Sequence, residues 1–183
     1  ILKKYLINYL TSLPSPEKSK IFEDIFRKAR RSGDGNNIFA INFNYTNTLN
    51  IYSRIDGMNI FNEAINIHGD LDNQHVNPII FGYGDEMDER YKRLELSNDR
   101  RFIENIKSFW YGYSNNYQNL ISLLGNTFEL HLIGMSCGLS DRVLLNYLFE
   151  HENCKKIQIY FYKKGDFDSY FSTYQSIAMH FSI

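Results

Sequence analysis

Residues Gly134-Met135-Ser136-Cys137-Gly138 fit the pattern G-x-S-x-G, in which a serine on a sharp strand-to-helix turn serves as a nucleophile. Acyl transfer of that kind takes its triad in the order serine, acid, histidine. Asp166 or Asp168, followed by His180, supplies that order. Two features count against a serine hydrolase. No glycine-rich H-G-G-G oxyanion element lies upstream, and the next helix is expected to start late, capped by Ser140, rather than directly after the serine. His180 also falls in an amphipathic stretch, where a surface histidine is the plainer explanation. The same five residues follow an apolar run and precede an amphipathic one, the place of a nucleotide-binding loop. Ser136 is therefore a nucleophile, a ligand contact or a turn residue.

Three other groups carry chemistry. In "NFNYTNTL" (42–49) Asn42 ends an apolar run and Asn44 leaves it, so a carboxamide there could hold a water or a ribose hydroxyl, being both donor and acceptor. On spacing alone the better reading is that these Asn and Thr side chains make local turns and cap the next helix. In "NIHGDLDN" (66–73) His68 closes a second apolar run, with Gly69 permitting a sharp turn. A neutral imidazole in a cleft can act as a base near pH 7; a structural histidine bonded to a loop is as good an account. "IIFGYGDE" (79–86) has Gly82 and Gly84 but lacks the third glycine of a dinucleotide fingerprint. No metal is assigned: His75, His131 and His151 lack ligand neighbours at suitable spacing, and Asp70, Asp72, Asp85 and Glu86 read as solvated loop carboxylates.

The elements that must position these groups are set by periodicity. Ile1, Leu2, Tyr5, Leu6, Tyr9, Leu10 and Leu13 recur at helical spacing until Pro14, and Ser15-Pro16 is expected to open a second helix over Ile21, Phe22, Ile25, Phe26 and Ala29. After the turn cluster "SGDGNN" (32–37), strands are expected at 38–43, 64–68, 78–82, 128–133 and 156–162. A short helix comes after the first strand and reaches about Arg54. Residues 86–124 form a helical segment with Phe102, Ile103, Ile106, Phe109 and Trp110 on one face. Further helices begin at about Asp141 and at Tyr170. Strands alternating with helices predict an α/β fold, a Rossmann-like parallel sheet with helices on both faces. Ligands in such folds sit beyond the C-terminal strand ends. That rule selects Asn42 to Thr46, His68-Gly69, Gly82 to Asp85 and Gly134 to Asp141.

The chain of 183 residues suits a single domain over 1–183, with no linker to split it. Hydrophobic residues make up 43% and charged residues 22%, a globular composition. A net charge of −1 offers no basic excess for a nucleic-acid backbone. Cys137 and Cys154 are far apart and in no C-x-x-C pair, which speaks for reduced thiols and a cytoplasmic location, without structural zinc. No apolar run reaches membrane-span length, so no membrane partner is expected. A homo-oligomer is left open.

Taken in order, "INFNYTNTL", "NIHGDLDN", "IIFGYGDEMDERYK", "FWYGYSNNYQNL" and "GMSCGLSDRVLLNYLFEHENC" resemble the AbiH family of bacterial abortive-infection proteins, over residues 38 to 155 and on into the tail. The resemblance implies defence against bacteriophage, with a phage-derived trigger, and a sirtuin-like, Rossmann-type nucleotide-binding fold. Asn44-Tyr45-Thr46 is similar to the Asn-Tyr-Asp of sirtuin-like NAD-hydrolysing defence proteins, with Thr46 in place of the acid. His68-Gly69 is similar to their His-Gly, which carries the base. Gly134, Ser136 and Asp141 resemble their Gly-x-Ser…Asp loop, which meets ribose and phosphate.

On that resemblance the catalytic residues are Asn44 and His68. The nucleotide-binding residues are Asn42, Tyr45, Thr46, Gly69, Gly134, Ser136 and Asp141. NAD is the substrate or ligand, and Ser136 becomes a ligand contact rather than a nucleophile. A non-catalytic nucleotide-binding or sensor module is the alternative, which Thr46 favours; a serine hydrolase using Ser136 is the second. The family pattern opens with a Gly-Asn-Gly-Phe-Asp loop after its first strand. Here "GDGNN" (33–37) leads from helix to strand instead, so the chain is expected to lack its first βα unit. Met135 stands where relatives commonly have His. Zinc-bearing sirtuin deacetylases carry paired cysteines that this sequence lacks, which disfavours deacetylation.

Overall fold

A computed structural model describes residues 2–32, 37–82, 91, 93, 96, 106–165 and 167–181. The expectations for Gly84, Asp85, Glu86, Phe102, Ile103 and Asp166 lie outside the described residues. The chain divides into two compact units, Ile1–Phe81 with Ser114–Leu120, and Gly82–Tyr113 with Ile121–Ile183. The sequence shows no linker because the chain crosses between units three times and returns Ser114–Leu120 to the first.

In the first unit, α1 (Leu2–Thr11) and α2 (Lys20–Ser32) come first. α2 begins later than Ser15-Pro16 predicts: the Ser19 carbonyl accepts the Glu23 N–H at 3.1 Å, closing the first turn. Strand β1 (Phe39–Asn42) pairs parallel with β4 (Glu63–Asn66), in a register that sets Asn42 opposite Asn66. Between them run a 3-10 helix (Asn47–Tyr52) and a hairpin, β2 (Arg54–Ile55) with β3 (Met58–Asn59). Asp56 and Gly57 turn that hairpin at φ 52° and 80°, both left-handed as a two-residue type I′ turn requires. Phe26 of α2 packs 5.4 Å from the Tyr52 ring and 5.2 Å from Phe61. Ile55, Ile60, Ile65, Ile67, Ile79 and Ile80 fill the core.

The strand expected at 78–82 does not form. Pro78 has no N–H to give a ladder. The Ile80 N–H reaches the His68 carbonyl at 2.8 Å, but its own carbonyl is taken by the Tyr45 hydroxyl at 3.0 Å. A side chain thus occupies an acceptor that a third strand would have needed.

The second unit contains α3 (Lys107–Tyr111) and strand β5 (Phe128–Ile133). It continues with α5 (Arg142–Phe149), strand β6 (Cys154–Tyr160) and α6 (Tyr170–Ala178). The helix before β5, α4 (Asn116–Leu123), starts in the first unit and ends in the second. β5 and β6 run parallel, matched from Glu129 with Lys156 to Ile133 with Tyr160. The intervening α5 buries Leu144, Leu145, Leu148 and Phe149, the signature of a βαβ crossover. A two-residue hairpin, β7 (Lys163–Lys164) with β8 (Phe167–Asp168), comes after β6. The protein is thus a mixed α/β chain with helices, and among the described residues its parallel strands form two short pairs, one in each unit, and no closed barrel.

Candidate functional site

Parallel pairing brings the C-terminal ends of β1 and β4 together, and the site of the first unit is built there from amides. Asn42, 7% exposed, donates from Nδ2 to the Asn66 Oδ1 at 2.8 Å and to the Thr46 carbonyl at 3.1 Å. Its Oδ1 accepts the Asn44 N–H at 3.0 Å, an Asx turn that swings the chain out of the strand. Asn66 Nδ2 donates in turn to the Asn47 Oδ1 at 2.9 Å. Asn47 Nδ2 ends the relay on two carboxylates, Asp70 Oδ1 at 2.9 Å and Asp72 Oδ2 at 2.6 Å. Each amide is polarised by the next, which strengthens such a chain while satisfying its buried members.

Asp70 and Asp72, which the sequence suggests are merely solvated, are therefore acceptors in this relay. Asn42 does the local turn work that its spacing favours, and it is Asn44, just beyond, that is exposed. Thr46 Oγ1 lies 2.9 Å from the Thr48 hydroxyl. It stands at the N-cap of the 3-10 helix without capping it through its side chain.

His68 is 3% exposed. A carbonyl can only accept, so the 2.9 Å contact between Nδ1 and the Phe43 carbonyl is a donation from Nδ1–H. In the neutral ring the lone pair then lies on Nε2. Phe43 meets the ring edge-on at 5.4 Å, and Tyr45 lies at 6.0 Å. Gly69 comes next at φ +95°, where an added Cβ would stand 2.4 Å from the Pro78 carbonyl oxygen. Only glycine satisfies both the backbone angle and that approach. Tyr45 contributes its hydroxyl to the Ile80 carbonyl and its own carbonyl to the Leu71 N–H at 3.2 Å.

In the second unit the loop after β5 carries Gly134 at φ 64° and an exposed Ser136. The left-handed non-glycine residue of this loop is Cys137, φ 53°, not the serine. Cys137 is fully buried, and burial pushes its thiol up to about 11. Its carbonyl accepts His180 Nε2–H at 2.8 Å, while His180 Nδ1 lies 2.9 Å from the Asn146 carboxamide oxygen. His180, read from sequence as a surface residue, is 1% exposed.

That geometry rules out the triad built on His180 and Asp168. Both ring nitrogens of His180 are committed, and Asp168 Oδ1 accepts the Tyr170 N–H at 2.7 Å in an Asx turn ahead of α6. Asp141 is likewise engaged, in a largely buried pair with Lys107 Nζ at 3.2 Å and with the Tyr111 hydroxyl at 2.9 Å. Ser140, expected to cap the helix, lies inside a 3-10 turn (Leu139–Asp141) and donates to Asp141 Oδ2 at 3.2 Å.

Of the residues singled out by sequence, Asn42, Asn44, Tyr45, Thr46, His68 and Gly69 share the first unit's strand-end cluster, while Gly134, Ser136 and Asp141 belong to the second unit. Sequence reasoning missed Asn47, Asn66, Asn77 and Asn116, whose amides build the cluster. The available signal was the tripeptide Ala-Ile-Asn repeated in two apolar runs, ending at Asn42 and at Asn66. Among the described residues no group of three His, Cys, Asp or Glu side chains is placed to hold a metal.

Compared with known proteins, residues 3–163 match a family model described as "Bacteriophage abortive infection AbiH". No curated protein and no solved structure matches the chain.

Proposed function

The chain belongs to the AbiH family of bacteriophage abortive-infection proteins, and from that premise we propose that its defence activity works through a sirtuin-like, Rossmann-type nucleotide site that hydrolyses NAD to nicotinamide. The observation that supports this reading best is the state of His68. Its Nδ1–H is fixed on the Phe43 carbonyl, so the neutral ring carries its basic lone pair on Nε2, the form a general base requires.

The reaction breaks the bond between the ribose C1′ and the nicotinamide nitrogen, which leaves with the electron pair. The transition state is oxocarbenium-like, as in glycoside cleavage generally. Water adds at C1′, and its proton passes to His68. Exposed Asn44 holds that water or a ribose hydroxyl, and Asn42 fixes Asn44 through its Asx turn. Tyr45, Thr46 and Gly69 shape the wall around the nucleotide. On the sequence resemblance, Gly134 and exposed Ser136 are proposed as a nucleotide-contacting loop of the second unit in its own right. Asp141 of the same unit is paired with Lys107. The remaining barrier is lowered by orientation of the nucleotide and water rather than by further acid–base groups.

One observation favours a second reading, a nucleotide sensor without turnover: Thr46 stands where the acid of the sirtuin-like pattern would be, and its hydroxyl pairs with Thr48. Nicotinamide release from NAD by the purified protein, beside His68→Ala, separates the two. Release that vanishes in the variant supports hydrolysis with His68 as base. Release that persists removes His68 from that role. NAD binding without release moves the function to the sensor.

A further inference from the structure

The segment "FWYGYSNNYQNL" (109–120) takes no part in the reaction proposed above. Its residues Ser114–Leu120 leave the surrounding second unit and complete the first. There Asn116 donates from Nδ2 to the Asn66 carbonyl at 2.9 Å and to the Asn77 Oδ1 at 2.8 Å. The Asn66 carbonyl also accepts the Gly69 N–H at 3.1 Å and Asn77 Nδ2 at 3.1 Å. Three donors thus converge on one oxygen, whose two lone pairs leave it little freedom to turn.

That oxygen closes the turn Asn66-Ile67-His68-Gly69, with His68 at its third position. Asn77 extends the brace, since its carbonyl accepts the Asp70 N–H at 2.9 Å just past the turn. We propose that Asn116 is a positioning residue for His68: reaching across 50 positions of sequence, it sets the plane of the Asn66 peptide and so the direction of the imidazole. The role in catalysis rests on the reading of His68 as the base, whereas the bracing itself does not. A residue 48 positions from His68, with no group of its own for the reaction, thereby controls the reacting geometry.

The test uses the full chain and two variants, Asn116→Asp, isosteric but unable to donate, and Asn116→Ser, which keeps one donor. The first readout is the His68 Cε1–H resonance, identified by its loss in His68→Ala. In Asn116→Asp it moves or broadens while the His131 and His151 resonances stay, and Asn116→Ser recovers part of the wild-type position. A residue that serves stability alone would lower the melting temperature and leave the folded protein's His68 resonance in place, and that result overturns the proposal.

The second readout is nicotinamide release, with kcat falling about tenfold or more and KM nearly unchanged in Asn116→Asp, as expected for a misdirected base. If the wild type releases no nicotinamide, the hydrolase reading fails and the resonance still judges the brace. Should neither variant fold, side-chain amide exchange in the wild type decides. Protected Asn116 Nδ2 protons support the brace, and exchange as fast as that of a free asparagine overturns it.

Discussion

His68 and Gly69 show how far a residue type constrains its surroundings. The pair reads as a base and a flexible turn, and the structure makes the glycine a steric necessity. Gly57 offers the internal control, since it also has a positive φ but nothing within 4 Å of an added Cβ. Gly57→Ala should lower stability by about 1 kcal/mol, the backbone cost alone. Gly69→Ala adds a clash with Pro78 and should lose roughly 2–5 kcal/mol. Urea denaturation of both variants checks the difference, and equal losses would deny the close approach.

Cysteine chemistry is decided at the same scale. Burial raises both thiols, Cys137 to about 11 and Cys154 upward as well, with a backbone hydrogen bond at Lys156 and the nearby Lys155 charge pulling back. Burial and the raised value keep Cys137 as the neutral, unreactive thiol near neutral pH. A disulfide-exchange reagent should therefore find Cys154 in the native protein and Cys137 only after denaturation. Because folding raises the Cys137 value, its neutral form stabilises the native state fully below pH 9. That contribution is lost as pH climbs from 9 to about 11.

At the scale of elements, strands and helices with strong periodicity were legible: β5 falls on the expected residues, and α1 and α6 lie within their apolar patterns. The β2–β3 hairpin has its signal in the turn dipeptide Asp56-Gly57, but strands of two residues are too short for any alternation to register. Arg27 ties this hairpin to α2 through paired bonds to the Asp56 carboxylate at 2.7 and 3.1 Å. The guanidinium beside Asp56 holds its carboxyl below the usual range. The loop after β5 depends on an element far away, since His180, just beyond α6, supports the Cys137 carbonyl. His180→Ala leaves that carbonyl buried and the partly buried Asn146 carboxamide without the ring, and should cost roughly 2–4 kcal/mol. It should also make Cys137 reactive toward the thiol reagent in the native protein. An inert Cys137 in that variant would show that the loop holds itself.

For the whole molecule, family membership fixes the setting as abortive infection of phage-attacked bacteria. Among the described residues no helix is long and apolar enough to cross a membrane. The proposed chemistry makes a prediction at this scale: bacteria expressing the protein should resist a susceptible phage in plating assays, and His68→Ala should plate phage like the empty vector. Protection that survives the substitution would separate defence from His68. The two compact units give each set of candidate residues its own scaffold, the strand-end amides in one and the Gly134–Gly138 loop in the other.

The sequence by itself determined the α/β class, most of the long elements, the family and the identity of the strand-end residues. It did so because alternation and helical spacing report which face of a segment is buried, and short motifs survive intact in linear order. Tertiary structure alone decided the partners. Asn42 meets Asn66 only through strand register, His68 meets the Phe43 carbonyl only where two strand ends converge, and Asn116 reaches Asn66 from 50 residues away. A carboxamide both donates and accepts, so its residue type names no partner; which acceptor comes within 3 Å depends on the folding of distant chain, and no local pattern records it.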